Sequence, residues 1–134
     1  MAHFAKLDSD NNVLWVTPLQ DDISNDDEAT GVAYLTKHHN WPLWKKTSFN
    51  TSKGVHLLGG TPYRANFAGP GLKYDPELDI FKDSVQPFPS WTMNNTTGKY
   101  ESPVPYPSDD ETYTAYRWDE SAYQVDNTQG WSAI

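Results

Sequence analysis

Cysteine is absent from the 134-residue chain. That excludes disulfide staples, thiolate zinc sites and a cysteine nucleophile, and it suits a chain made in a reducing cytoplasm. Long apolar runs are also missing. No stretch approaches the ~18 residues of a membrane helix. The opening residues lack the charged start and apolar run of a secretory signal, so the chain is expected to be soluble and to keep them. The sequons at Asn50 and Asn95 carry no meaning without a secretion route. Positive charge is scarce: ten Lys and Arg face eighteen Asp and Glu, for a net charge of −8. The cations are scattered and Lys45-Lys46 is their densest pair, so neither nucleic acid nor anionic membrane is an expected partner.

Aromatic residues are what the chain has in excess. Six Trp, eight Tyr and five Phe make up 14% of it, with ten Pro and eight Gly. This is a turn-rich chain that packs with rings rather than long helices. Its length is that of one domain, which can bury about two thirds of its unfolded surface without covalent staples.

Residues 2–7 and 13–17 form two strand candidates around Asp8, Asp10, Asn11 and Asn12. Asp and Asn bond back to nearby backbone and tolerate left-handed conformations, so a β-hairpin is expected there. Asn25 followed by Glu28 resembles a capping box. The residues after it reach His39 with apolar Val32, Tyr34 and Leu35 on one side, and Trp41-Pro42 then stops the helix. Residues 43–49 predict a strand, residues 59–62 a loop, residues 63–67 a short strand, and Ala68-Gly69-Pro70-Gly71 a turn.

One device recurs in the second half: an aromatic, a polar turn opened by Asp or Asn, then another aromatic. Tyr74, Asp75, Asp79 and Phe81 make the first copy. Trp91, Asn94, Gly98 and Tyr100 make the second, and Tyr116, Trp118, Asp119 and Tyr123 the third. Each predicts a hairpin whose rings meet across the strands. The spacing is too irregular for a solenoid. Pro87, Pro89, Pro103, Pro105 and Pro107 separate the copies and favour extended chain.

Motifs for chemistry are not found. Asp8, Asp10 and Asn12 imitate the start of a calcium loop, but Val13 stands where Gly is needed and Leu19 where the bidentate Glu is needed. His38 and His39 diverge by about 100° in a helix and cannot share a metal. There is no Gly-x-Ser-x-Gly elbow and no phosphate loop. No enzyme activity, catalytic residue, cofactor or metal is expected. The aromatics could form a sugar- or peptide-binding face, but cross-strand ring pairs already explain their spacing.

Several blocks resemble a family of small virion structural proteins of cyanophages and related marine tailed phages. They are residues 1–8 with Asn11 and Val13; Arg64-x-x-Phe67-Ala68-Gly69-x-Gly71-x-x-Tyr74-Asp75-x-x-x-Asp79-x-Phe81; Pro87-x-Pro89-Ser90-Trp91; residues 101–107; and Tyr116-x-Trp118-Asp119-Glu120. The resemblance implies a place in the phage particle and brings no catalytic residues. The chain departs from it in residues 43–62, a longer segment that points to a contact specific to its own particle.

The expected fold is α+β: mainly short antiparallel β-strands and aromatic hairpins with one helix, plus an extended Pro-rich C-terminal arm. Residues 1–81 form the compact domain and residues 82–134 the arm. Trp91, Tyr100, Tyr106, Tyr116, Trp118, Tyr123 and Trp131 are the expected interface anchors. The expected function is a virion structural protein, made in the host bacterial cytoplasm and decorating or cementing the capsid. Its partner is then the major capsid protein or another virion protein, with the chain a dimer or trimer. The alternatives are a tail, baseplate or fibre component, and a carbohydrate-binding module contacting the host envelope.

Overall fold

Residues 2–7 alternate around Phe4 and Ala5, both fully shielded from solvent. A strand can bury consecutive residues only if both its faces are covered, because successive side chains point to opposite sides. The computed structural model, which describes residues 1–108 and 114–134, provides that cover. Strand β1 (Ala2–Leu7) is the middle of a three-stranded antiparallel sheet, between β2 (Val13–Leu19) and β3 (Trp44–Thr47). Phe4 packs on one face with Leu19, Leu35 and Trp44. Ala5 and Leu7 pack on the other with Val13, Ala68, Tyr74 and Phe81.

The expected first hairpin is present. Asp8 accepts hydrogen bonds from the backbone N–H groups of Asp10 and Asn12, both at 2.9 Å, and Asn11 takes the left-handed conformation with φ 69°. A bulge between Lys6 and Leu7 adjusts the register near the turn.

Among the described residues, three helices replace the single one expected: α1 (Asp21–Ser24), α2 (Glu28–His39) and α3 (Glu120–Val125). The long one starts later than the Asn25 box implied. Asn25 and Asp26 both sit at φ 52°, where Asn25 closes α1. Asp27 is the cap of α2, accepting from the Thr30 N–H at 3.0 Å and its hydroxyl at 2.6 Å. Glu28 is thereby freed to reach the sheet. Gly31, in mid-helix, lets α2 rest directly on the Phe4 ring, which a Cβ there would meet at 2.4 Å.

Past β3 come the small pair β4 (Thr51–Ser52) with β5 (Val55–His56), and then β6 (Leu72–Asp75) with β7 (Ile80–Asp83). The β6–β7 hairpin is the first aromatic copy, with Tyr74 opposite Phe81 and ring centroids 5.8 Å apart. The strand expected over residues 63–67 is not there. Arg64 and Ala65 both adopt positive φ, 58° and 68°, and the segment turns. Two side chains hold it. Asn66 donates to the carbonyls of Phe81 at 2.8 Å and Thr97 at 2.7 Å and accepts from the Lys53 N–H at 2.9 Å. Arg64 donates to Glu28, Asp79 and the Lys46 carbonyl.

The second copy is a hairpin, β8 (Thr92–Asn94) with β9 (Lys99–Glu101). The third is not. β10 (Tyr116–Trp118) pairs with β11 (Trp131–Ala133), and α3 lies between them in sequence. Asp119 does not open a hairpin turn. It caps α3 by accepting from the Ala122 N–H at 3.1 Å, the other use of the same side-chain chemistry.

The chain divides into two compact units: Met1–Val85 with Asn94–Lys99, and Gln86–Met93 with Tyr100–Ile134. The boundary expected near residue 81 is crossed by the β8–β9 turn, which belongs to the first unit. No extended arm appears among the described residues of the second. No helix is long and apolar enough to cross a membrane among the described residues.

Gly31→Ala reverses the usual sign of its substitution. In an open helix it would stabilise by roughly 1 kcal/mol. Against the Phe4 ring the added methyl overpacks the core, for an expected net loss of about 1–3 kcal/mol. Chemical denaturation of both proteins measures it, and a variant as stable as the parent would show that α2 does not bear on Phe4.

Candidate functional site

The expected anchors lie in the second unit, and Trp91, Tyr106, Tyr116, Tyr123 and Trp131 gather around Trp118. Its ring lies 5.2 Å from Trp131, 5.9 Å from Trp91 and 5.5 Å from Tyr123. Tyr106 extends the group, 4.9 Å from Trp131 and 5.6 Å from Tyr116. The backbone is shaped to fit these rings. Gly130, at φ 150°, lies flat on Trp118, where a Cβ would come within 2.4 Å of the ring.

Polar bonds fix the orientation of the group. Glu120 Oε1 accepts from the Trp118 indole at 3.1 Å and from the Ser90 hydroxyl at 2.6 Å, while Oε2 accepts from Gln124 at 2.7 Å. The Ser90 bond leads the causes that hold the Glu120 carboxyl below its ordinary value, against a desolvation penalty. The Trp131 indole donates to the Val104 carbonyl at 2.8 Å, which ties the Pro-rich segment to β11.

Placed this way, the rings mostly serve their own unit. Trp118 is buried, and Trp91, Tyr100, Tyr116, Tyr123 and Trp131 are half-buried. Tyr106 alone of the seven is more than half exposed, at 54%. Trp118 is therefore a core residue, which corrects its reading as an interface anchor.

A group of exposed apolar side chains stands in the first unit, on the segment around β4 and β5. Phe49, Val55, Leu57 and Leu58 all stand more than half open to solvent, Leu58 the most at 78%. This tip is pinned. His56 Nδ1 accepts from the backbone N–H groups of Leu58 at 3.1 Å and Gly60 at 3.0 Å. Leu57 N–H donates to the Asn50 carbonyl at 2.8 Å. The signal for it in sequence is three apolar residues between Gly54 and Gly59, in a loop too short to bury them.

Beneath the tip is a groove of about 460 Å³ lined by His3, Lys46, Phe49, His56, Leu58 and Tyr63. His3 stacks on Phe49 at 5.7 Å and meets the edge of Phe67 at 5.5 Å. Burial, then the nearby Met1 ammonium, lower its pKa and favour the neutral ring. Lys46 Nζ sits 4.4 Å over Tyr63 and 3.7 Å from Asp26. The groove offers apolar and ring contacts flanked by a few polar groups, the chemistry of an adhesive surface. No group of three or more His, Asp or Glu placed to hold a metal occurs among the described residues.

Comparison with known protein families, with curated proteins and with solved structures finds no match. The phage-protein resemblance rests on the residues quoted for it.

Glu120→Gln tests the order of the second unit. A carboxylate with a depressed pKa contributes stability above its ordinary value of 4.5, and that contribution is lost as pH falls through the folded value. The variant should therefore melt below the parent at pH 7, and the gap should close as pH falls below 4.5 and through the depressed folded value. Tryptophan fluorescence during melting reads it, and a gap independent of pH would show that the charge of Glu120 does not hold these rings.

Proposed function

We propose that this chain is a non-enzymatic structural protein of a tailed-phage particle, decorating the capsid by binding the major capsid protein. The observation that carries the reading is the apolar tip, with Val55, Leu57 and Leu58 open to solvent on a loop pinned by His56. Exposed apolar side chains that cannot be buried in their own unit mark a contact surface. One held rigid before contact loses little entropy on binding. The tip lies in residues 43–62, the segment that departs from the resembling phage proteins and was expected to make a particle-specific contact. Tyr106 is exposed as well, in the second unit. A net charge of −8 disfavours nucleic acid as the partner.

Replacing both Leu57 and Leu58 with Asp should lower particle-bound copies at least tenfold, since two anchor side chains at a packed contact are worth upward of ~2 kcal/mol. Melting should be almost unchanged, because both side chains are exposed. Quantitative mass spectrometry of purified particles reads occupancy and absolute copy number. Copies comparable to the shell subunit support decoration. A few to a few dozen would move the protein to the tail, baseplate or fibre, and absence from particles would overturn the reading.

A further inference from the structure

The three-stranded sheet has two edges, and they are treated differently. At the β3 edge the outward backbone groups of Lys46 are taken: its N–H donates to Glu28 at 3.2 Å and its carbonyl accepts from Arg64 at 2.8 Å. Lys45 and Lys46 also place charge along that edge, a common guard against strand pairing.

The β2 edge has neither protection. Its seven residues carry no charge, and Leu14 and Trp15 are 43% and 38% exposed. The register shows which backbone groups face outward. His3 is opposite Pro18, which has no N–H, so that pair is not hydrogen-bonded. Antiparallel pairs alternate, so Ala5 with Val16 is not hydrogen-bonded either. The N–H and carbonyl of Val16 thus point away from β1. Past Asn12, which bridges to Lys73, no backbone hydrogen bond from another described element reaches this edge.

We propose that β2 pairs antiparallel with β2 of a second copy, about a two-fold axis at Val16, joining two three-stranded sheets into one of six. The occupant must be a strand of several residues with free backbone and no charge. Among the described residues of this chain β1 is already paired on both sides, β3 is capped and charged, and the remaining strands are at most four residues long. The β2 strand of another copy meets the requirement. It also brings two strongly acidic chains together along an uncharged strip, where repulsion is least. At the axis each Val16 N–H meets the opposing Val16 carbonyl. Edge pairing alone buries less than the ~1,000 Å² of a lasting interface, so association depends on concentration.

Sedimentation velocity of the full chain from ~1 µM to ~1 mM should show a monomer–dimer equilibrium. Val16→Pro removes an N–H that β1 does not use, as Pro18 already does, and should raise Kd at least tenfold while circular dichroism is retained. Leu14→Lys places charge on the edge and should do the same, which keeps the test decisive if the proline variant fails to fold. The Val16 amide should gain hydrogen-exchange protection only at dimer concentrations. A monomer throughout that range, or a dimer whose Kd neither variant changes, overturns the proposal. Binding to particles is measured separately, so either outcome here leaves the capsid reading to its own test.

Discussion

Arg64 is where the first unit is tied together. Its guanidinium makes a two-toothed contact with Glu28 at the start of α2, at 2.6 and 2.8 Å, and donates to Asp79 in the β6–β7 turn at 2.7 Å and to the Lys46 carbonyl of β3 at 2.8 Å. Four of its five N–H donors are thereby used. Burial opposes the charge, but the bonds to Glu28 and Asp79 outweigh it and the pKa rises. Removing one partner of a buried pair costs roughly 3–5 kcal/mol, and the lower end applies here because both carboxylates are partly exposed. That one side chain positions a helix, a strand and a hairpin explains why its backbone is held at positive φ, a conformation a non-glycine residue seldom adopts.

This constraint also marks what sequence could and could not convey. The hairpin around Asp8 and the Tyr74–Phe81 hairpin were legible because strand, turn and partner lie within about twenty residues, and Asp or Asn dictates the turn locally. The segment 63–67 was not legible as a turn. Tyr63 and Phe67 suggest a strand, and what bends the chain is Arg64 reaching Glu28, thirty-six positions away. Asn66 acts the same way on Phe81 and Thr97. Asp119 failed for another reason: Asp opens a hairpin turn and caps a helix by the same acceptance of a backbone N–H, so the residue alone does not choose.

The aromatic residues show a similar division. Their spacing in the second half was visible, and it does bring rings together. It could not say whether they face a partner or one another. Trp118, Trp91 and Trp131 mostly turn inward because a unit of this size has few aliphatic residues with which to build an interior. An apolar surface remains on the short loop after Gly54, where strands of two residues cannot cover Val55, Leu57 and Leu58. Large rings made the more conspicuous pattern, but small hairpins expose what they cannot enclose.

The same polar economy accounts for the difference between the sheet edges. The Arg64 and Glu28 pair that locks the first unit also occupies the outward backbone of β3, so the interaction that organises the unit closes one edge of its sheet. Among the described residues no comparable hydrogen bond reaches the outward backbone of Val16, and β2 carries no charge. A sheet held from one side by a buried arginine is left with a single direction in which to grow.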